Sequence, residues 1–227
     1  MDWIIPKKIY LCPWNRGCLP DYVLQSTPVS NKTRNLDKSQ PFSVIISIIE
    51  STKIRKIHIV SSIRSIPDFP KEGILFRDVT TLFGNSEAFR EVVDALYELY
   101  KDKGITKVCG LESRGFIAGA ALAYRLGAGF VTIRKPGKLP CETYSEEYLK
   151  EYGTDTLEIH TDALTSDDVV LLHDDLLATG GTAVAALNLI RKFSPKAIYA
   201  NFIIELAECD GMAAMPSDIE TTALLKL

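Results

Sequence analysis

The spacing of apolar residues changes character near residue 61 of the chain. From there onward, stretches with helical spacing alternate with short apolar stretches, whereas residues 1–60 show no sustained period. Alternation of strands with helices is the pattern of a parallel sheet that is covered by helices. We therefore predict an α/β domain over residues 61–227, preceded by an extension of unknown role, structured or disordered, over residues 1–60.

Individual elements follow from the periodicity within this domain. Residues 87–99 place apolar side chains on one face of a helix, and residues 169–173 are apolar on both faces, as in the centre of a sheet. Residues 134–155 are polar and carry glycine and proline, which predicts a long loop of the kind that closes over a site. We predict helices at residues 87–99, 115–126 and 181–193, and strands at residues 107–111, 129–133, 156–160, 169–173 and 197–206. The strand at residues 197–206 is predicted to be the last one of the domain.

The overall composition narrows the class of protein without identifying a function. The 227 residues are 46% hydrophobic and 24% charged, as in soluble globular proteins, and the net charge of -3 offers no general attraction to nucleic acid. The five cysteines form no C-x-x-C pair, which favours a reducing cytoplasm over a disulfide framework or a zinc site. The longest apolar run, residues 44–49, is too short to cross a membrane, and we predict a strand there.

A run of acidic and small residues joins a predicted strand to a predicted helix. After the strand that ends at His173, the chain reads Asp174-Asp175-Leu176-Leu177-Ala178-Thr179-Gly180-Gly181-Thr182. A helix N-terminus presents unpaired N–H groups and a partial positive charge, and glycines allow the chain to curl closely around an anion. We therefore predict a phosphate site made by Ala178, Thr179, Gly180, Gly181 and Thr182.

The acid pair Asp174 and Asp175 has a different expected role, because carboxylates repel a phosphate. By the predicted strand boundary it lies at a strand's carboxyl end, where open α/β sheets bind their ligands. The vicinal hydroxyls of a ribose suit carboxylate acceptors, and the same oxygens can hold a hydrated Mg²⁺. The structural alternative is an ordinary turn with an aspartate N-cap, and the whole segment favours the ligand site over it.

The segment 174–182 resembles the phosphoribosyl pyrophosphate signature of the type I phosphoribosyltransferases, in which two acids precede a T-G-G-T-like loop. The resemblance implies that Asp174 and Asp175 bind the ribose hydroxyls and that the loop binds the 5′-phosphate. It also implies the family's α/β fold, a central, mostly parallel sheet flanked by helices, with an N-terminal hood and a flexible catalytic loop. His173 stands where the family more often has valine or isoleucine, and we interpret it as a core residue.

Two further segments are similar to the adenine phosphoribosyltransferases of this family. Residues 66–78 (IPDFPKEGILFRD) look like the hood, for which we expect residues 63–85, ahead of a core over residues 86–227. The resemblance implies that Leu75, Phe76 and Arg77 bind adenine. Residues 111–116 (LESRGF) are similar to the pyrophosphate loop, which implies that Ser113 and Arg114 bind pyrophosphate and that Arg114 is catalytic. A guanidinium suits this role because its fork pairs with two phosphate oxygens.

Two more segments complete the resemblance. Residues 134–140 carry Lys135 and Lys138, which the family would direct at pyrophosphate, although cations on polar loops are ordinarily just solvated. Residues 148–153 (YLKEYG) resemble the flexible-loop motif Y-x-x-E-Y-G. The match implies that Glu151 is the catalytic acid and base and that Tyr152 bonds pyrophosphate. A plain surface glutamate is the alternative for Glu151.

The resemblance as a whole implies a purine salvage enzyme that makes AMP and pyrophosphate from adenine and 5-phosphoribosyl 1-pyrophosphate. It implies Mg²⁺ bound mainly through the substrate, with no direct metal site on the protein. We also expect a cytoplasmic homodimer without nucleic-acid or membrane partners. Two alternatives stay open: a transferase for hypoxanthine or xanthine, and a regulatory protein that binds the sugar pyrophosphate as a signal. The hood and Glu151 favour adenine, and the extension is not basic enough to resemble a DNA-binding domain.

Overall fold

The computed structural model describes residues 57–150 and 153–227, apart from the side chain of Lys150. A helical turn at residues 57–61 precedes the regular elements. In chain order these are β1 (Arg64–Pro67), β2 (Leu75–Asp78), α1 (Thr80–Gly84), α2 (Ser86–Tyr100), β3 (Lys107–Leu111), α3 (Gly115–Leu126), β4 (Gly129–Ile133), β5 (Thr143–Lys150), β6 (Gly153–His160), β7 (Val169–Leu177), α4 (Gly181–Arg191), β8 (Ala197–Glu205), α5 (Gly211–Ala214) and β9 (Glu220–Lys226).

A five-stranded parallel sheet in the order β4-β3-β7-β8-β9 forms the centre of the domain. β7 is the middle strand and pairs with β3 on one side and β8 on the other. Its residues Val170, Leu171 and Leu172 are fully buried, because both faces of the sheet are covered, as the uninterrupted apolar run predicts. The predicted fold class is confirmed.

Two apolar cores lie between the sheet and its helices. One contains the buried faces of α2 and α3, and the other contains α4 together with Leu157 and Ile159 of β6. Asn85 is the N-cap of α2, and its side-chain oxygen accepts hydrogen bonds from the N–H groups of Glu87 and Ala88 at 3.0 and 3.1 Å. This cap satisfies two of the helix's free donors and fixes where the helix begins.

Most predicted elements are present with small boundary differences. β3, β4 and α3 have the predicted bounds, and α2, α4 and β8 differ from them by one or two residues at an end. The described N-terminal turn also belongs to this domain, since Ile59 is buried in the core of α2 and α3. The strand predicted at residues 44–49 lies outside the described residues, with the rest of the chain before residue 57.

The prediction of a long loop at residues 134–155 is wrong for the second half of that range. β5 and β6 pair as an antiparallel hairpin, from Thr143 opposite His160 to Lys150 opposite Gly153. The strand predicted at residues 156–160 therefore begins earlier, at Gly153. The hairpin escaped prediction because β5 is polar at most positions, so its alternation is weak.

Two further strand predictions need correction. β7 does not end at His173 but continues through both acids to Leu177, because Asp174 and Leu176 keep pairing with β8. β8 is not the last strand, since β9 follows it. β9 lies at the edge of the sheet, carries two threonines and is only partly buried, so it lacks the apolar run that marks the inner strands. Among the described residues, no helix combines the length and the apolar character needed to cross a membrane.

Candidate active site

The turn between β7 and α4 encloses a cavity of about 190 Å³. Its walls include every residue of the predicted phosphate loop and one of the two acids. The cavity is lined by Asp174, Leu176, Leu177, Ala178, Thr179, Gly180, Gly181, Thr182, Ala183 and Phe202. Gly180 is the N-cap of α4, so no side chain caps the first N–H groups of the helix. Free N–H groups at a helix N-terminus favour an anion in this cavity.

Tight packing behind the loop holds it in place. Gly180 has a φ of +85°, and a Cβ atom there would lie 2.9 Å from Cβ of Ala214 and 3.0 Å from the carbonyl oxygen of Gly211. A Cβ atom on Gly211 would overlap the carbonyl oxygen of Ala178. The loop and α5 can approach this closely only because both contact positions are glycine.

The acids Asp174 and Asp175 lie within β7 and have different surroundings. Asp174 lines the cavity, and its Oδ1 accepts a hydrogen bond from the N–H of Asp175 at 2.8 Å. Asp175 is buried and accepts a hydrogen bond from Nε of Arg114 at 2.7 Å. Burial, and then the neighbouring charge of Asp175, raise the pKa of Asp174 well above its ordinary value, although part of the residue still faces the cavity. A protonated Asp174 could donate a hydrogen bond as well as accept one.

Arg114 connects the acid pair to the hood. Its guanidinium carbon lies 5.8 Å from the centre of the Phe76 ring, within the range of a cation–π contact. Because Nε of the same side chain bonds Asp175, one arginine contacts both a predicted adenine-binding residue and a predicted ribose-binding residue. The structure thus brings Phe76, Arg114 and Asp175 together, whereas the sequence had placed Arg114 only with pyrophosphate.

The hood is the antiparallel hairpin of β1 and β2. Leu75 is 45% exposed, and Phe76 packs edge-on against Phe69 with ring centres 5.1 Å apart. The guanidinium of Arg77 donates to Oγ of Ser65 at 2.7 Å, so its side chain braces the hairpin.

The base of the hood is held by Asp78, which is buried. The hydroxyl of Thr80 first, and then Arg64, lower the pKa of Asp78 to about 2. Asp78 is therefore charged at neutral pH and paired with Arg64 of β1.

The predicted pyrophosphate side has two parts, the β3–α3 junction and the segment after β4. Ser113 is exposed at the junction, and the Glu112–Ser113 peptide bond is cis. Lys135 and Lys138 are exposed on the other segment, with Nζ of Lys135 3.4 Å from Oδ2 of Asp155.

Sequence reasoning missed Glu112. Its carboxylate accepts hydrogen bonds from the Arg134 guanidinium at 3.0 and 3.2 Å and from the N–H of Lys135 at 3.0 Å. These contacts, Arg134 first, lower the pKa of Glu112. Its position directly before Ser113 and Arg114 was the one available signal.

Glu151 and Tyr152 lie outside the described residues. The strand that leads to them is described, and its end comes close to the phosphate loop. A Cβ atom on Gly181 would lie 3.5 Å from the carbonyl oxygen of Leu149 and 3.8 Å from Cδ2 of Tyr148. Leu149 and Tyr148, which precede Glu151 by two and three positions, therefore adjoin the phosphate loop.

His173 is a core residue, as predicted. It is fully buried, and its Nδ1 lies 2.9 Å from Oδ1 of Asn201. Asn201 donates to Thr222 at 3.0 Å, and the Thr222 hydroxyl lies 2.8 Å from the hydroxyl of Tyr100. With the Asn201 amide donating through nitrogen, its oxygen accepts from His173, so Nδ1 carries the imidazole proton.

Acid should destabilise the fold through His173. Burial lowers the pKa of His173 from 6.5 to about 4, so between these values the unfolded chain is protonated there while the folded chain is not. The free energy of unfolding therefore decreases as the pH is lowered through this window. His173 accounts for a loss of about 2 to 3 kcal/mol between pH 7 and pH 4.5. Urea unfolding of the wild type and His173→Val at pH 7 and pH 4.5 measures the effect. The variant should lose less stability between the two pH values, and an equal loss in both proteins would contradict the prediction.

Among the described residues, no group of three or more His, Cys, Asp or Glu side chains is arranged to hold a metal ion. Asp174 supplies a carboxylate that lines the cavity, and Asp175 follows it in β7. One or two carboxylates combined with phosphate oxygens of a substrate are a common way to hold Mg²⁺. The residues present therefore fit a Mg²⁺ ion that is bound largely through a ligand.

Comparison with known proteins agrees with this site. The family model described as a phosphoribosyl transferase domain matches residues 78–211. An adenine phosphoribosyltransferase of Bacteroides fragilis is 64% identical over 163 residues, which cover 72% of this chain and 92% of the relative. The matched region begins at the last residue of β2 and contains the pyrophosphate loop, the hairpin of β5 and β6, and the phosphate loop.

Solved structures agree as well. The adenine phosphoribosyltransferase of Rhodothermus marinus is 44% identical with a TM-score of 0.73, over 77% of this chain and 99% of that one. The enzyme of Saccharomyces cerevisiae, solved with an imino-altritol bisphosphate and adenine, is 37% identical with a TM-score of 0.72, over 76% of this chain and 99% of that one. By family model, identity and fold, the chain belongs to the adenine phosphoribosyltransferases of the phosphoribosyltransferase family.

Proposed function

We propose that this chain transfers the 5-phosphoribosyl group to adenine, forming AMP and pyrophosphate. A bond forms between a ring nitrogen of adenine and C1′ of the ribose, and the bond between C1′ and the pyrophosphate oxygen breaks. The observation that carries the proposal is the cavity of the phosphate loop, which adjoins an acid pair and, through Arg114, the hood. A phosphate, a ribose and a base would meet these three parts in that order.

The phosphate loop and the acid pair would hold the sugar. The 5′-phosphate would accept hydrogen bonds from the N–H groups at the start of α4 and from the hydroxyls of Thr179 and Thr182. Asp174 and Asp175 would bind the ribose hydroxyls. Anchoring the sugar at both ends fixes C1′ relative to the base, which lowers the entropic part of the barrier.

The hood would hold adenine. Phe76 offers a ring face for a purine, and the backbone groups of Leu75 and Arg77 offer donors and acceptors to its edge. Support comes from the exposure of Leu75 and from the contact between Phe76 and Arg114, which brings this hairpin to the ribose side of the site.

The leaving pyrophosphate would bind Ser113, Arg114, Lys135, Lys138 and Tyr152. Ribosyl transfer develops positive charge on the sugar and negative charge on the leaving group, so cations at the leaving group stabilise the transition state. Mg²⁺ would supply further positive charge there when bound, held mainly through oxygens of the substrate.

Glu151 would accept the proton that the imidazole ring of adenine loses as the new bond forms. Support comes from the hairpin, whose described end adjoins the phosphate loop at Gly181. A hairpin beside the loop would also keep water away from C1′.

We further propose that the protein is a cytoplasmic homodimer. Tyr124 is 90% exposed and Ile117 46% exposed on α3, which gives this helix an apolar outer surface suited to a second copy. Cys109 and Cys141 are free thiols, which suits a reducing compartment. The part of the chain before residue 57 is proposed to be dispensable for the reaction, which limited proteolysis followed by an activity assay would test.

Asp175→Asn is expected to weaken binding of 5-phosphoribosyl 1-pyrophosphate by about tenfold to a hundredfold, because the ribose loses a charged acceptor and Arg114 loses its partner. Isothermal titration calorimetry measures the change. Asp168→Asn is the matched control. Asp168 is also a buried carboxylate, and it accepts hydrogen bonds from the Thr106 hydroxyl at 2.7 Å and from the N–H of Thr165 at 2.8 Å. Unchanged affinity in Asp175→Asn would remove that residue from the site.

The reaction itself is tested with purified protein, Mg²⁺, 5-phosphoribosyl 1-pyrophosphate and radiolabelled adenine, hypoxanthine or xanthine. AMP from adenine alone is the expected product. Product from another base with none from adenine would assign a different transferase activity. Binding of the sugar pyrophosphate without product from any base would identify a regulatory protein and overturn the proposal.

A further inference from the structure

We propose that Glu112 is a positioning residue for pyrophosphate, which joins the two parts of the leaving-group side into one site. These parts are residues 112–114 of the pyrophosphate loop and residues 134–138, which we call the lysine segment. The inference rests on the proposed function, because pyrophosphate is the ligand that both parts would share.

The two parts come from different strands that happen to be neighbours. β3 leads into the pyrophosphate loop and β4 into the lysine segment, and Leu111 pairs with Ile133 at the ends of these strands. The backbone pairing continues one residue further, since the N–H of Glu112 donates to the carbonyl of Ile133 at 3.0 Å. Glu112 therefore begins the loop directly beside the first residue of the lysine segment.

The Glu112 carboxylate also holds the lysine segment in place through hydrogen bonds. Oε1 accepts from Nη2 of Arg134 at 3.0 Å, and Oε2 accepts from Nε of Arg134 at 3.2 Å and from the N–H of Lys135 at 3.0 Å. A carboxylate held by a guanidinium fork and a backbone donor has a defined orientation. The hydrogen bond to the Lys135 backbone fixes the position from which the Lys135 side chain extends. Arg114 follows Glu112 by two residues, so Glu112 lies between Arg114 and the lysine segment in this connection.

Electrostatics favour this role for Glu112 at neutral pH. Its side chain is only 18% exposed, so its interaction with Arg134 is screened less than that of a surface pair. Its lowered pKa keeps it charged, and the charge of Arg134 balances it without using Lys135. The Lys135 ammonium remains on the exposed side, 3.4 Å from Asp155 of the hairpin.

Arg134 extends the same connection to two neighbouring elements. Its guanidinium lies 5.9 Å from the centre of the Phe116 ring in α3, and its backbone exchanges hydrogen bonds of 2.9 and 2.7 Å with Glu158 of β6. Nη1 of Arg134 also donates to the carbonyl of Lys138 at 3.3 Å. The N–H of Gly137 also donates to the Glu158 carboxylate at 3.1 Å. Together with Glu158, the arginine that Glu112 orients thus helps to fix the segment that carries both predicted pyrophosphate lysines.

The test compares the kinetics of wild type, Glu112→Gln and Glu112→Asp in both directions of the reaction. Glutamine keeps the size of the side chain but removes its charge and turns an NH2 group toward Arg134 or Lys135. We expect Glu112→Gln to raise the KM for pyrophosphate and for 5-phosphoribosyl 1-pyrophosphate about tenfold or more, while the KM for adenine changes less than about twofold. Glu112→Asp keeps the charge and should fall between the wild type and Glu112→Gln.

Asp168→Asn is the matched control for loss of a buried, hydrogen-bonded carboxylate. Thermal unfolding of each variant shows how much stability each has lost. Loss of pyrophosphate affinity in Glu112→Gln, with adenine KM preserved and with Asp168→Asn unaffected, supports the positioning role. Equal changes in all KM values, or unchanged KM for pyrophosphate, overturn it. Lack of activity in the wild type itself would instead overturn the proposed function.

Discussion

Gly211→Ala is expected to distort the phosphate loop and to abolish most binding of 5-phosphoribosyl 1-pyrophosphate. The new methyl group would overlap the carbonyl oxygen of Ala178, a backbone atom that cannot rotate away. The loop or α5 must shift, at a cost of about 1 to 3 kcal/mol in the free energy of unfolding. A loop displaced from the α4 N-terminus loses its hydrogen bonds to the 5′-phosphate, so we expect affinity to fall by about a hundredfold.

Calorimetric titration with 5-phosphoribosyl 1-pyrophosphate and thermal unfolding measure the two effects of Gly211→Ala. Gly84→Ala is the control, because a Cβ atom on Gly84 meets nothing within 4 Å. This control should bind like the wild type. If Gly211→Ala also binds like the wild type, α5 does not fix the position of the loop.

Glu151→Gln is expected to lower kcat by about 10² to 10³ while leaving the affinity for AMP nearly unchanged. The amide cannot exchange a proton with the imidazole ring of adenine, yet it keeps the size and polarity of the side chain. The effect should therefore appear in the transition state and not in the bound ground state. Single-turnover kinetics together with equilibrium binding of AMP separate the two.

Glu147→Gln is the matched control for Glu151, since Glu147 is an exposed glutamate of β5, four residues earlier in the chain. It should keep the wild-type kcat. A comparable fall in kcat and in AMP affinity for Glu151→Gln would identify Glu151 as a binding residue without a role in proton transfer. Wild-type turnover in Glu151→Gln would return it to the surface glutamate that the sequence left as the alternative.

Prediction from the sequence succeeded where one local signal dominates. The bounds of Lys107–Leu111 and Gly115–Leu126 follow from a buried apolar run and from helical spacing, which depend on neighbours along the chain. Prediction failed for the hairpin of β5 and β6, because most positions of β5 are polar and the alternation of polar and apolar residues is weak. It also failed for β9, an edge strand with one partner.

The candidate site divides in the same way. The turn that we predict to bind phosphate could be located from the sequence because its residues lie within nine consecutive positions, and all five predicted loop residues line one cavity. The partners of Arg114 and of Glu112 could not be predicted. Asp175 lies 61 residues from Arg114 and Arg134 lies 22 from Glu112, so their pairing depends on which strands are adjacent in the sheet.

By itself, the sequence determined the parallel α/β fold, the family resemblance and the position of the turn before α4 that we predict to bind an anion, because periodicity and contiguous motifs depend on residues close together in the chain. Only the tertiary structure decided that the acids lie inside β7, that Arg114 spans the acid pair and the hood, and that Glu112 holds the lysine segment. The physical reason is sheet order. β3 lies between β4 and β7, so residues distant in the chain meet at the ends of adjacent strands.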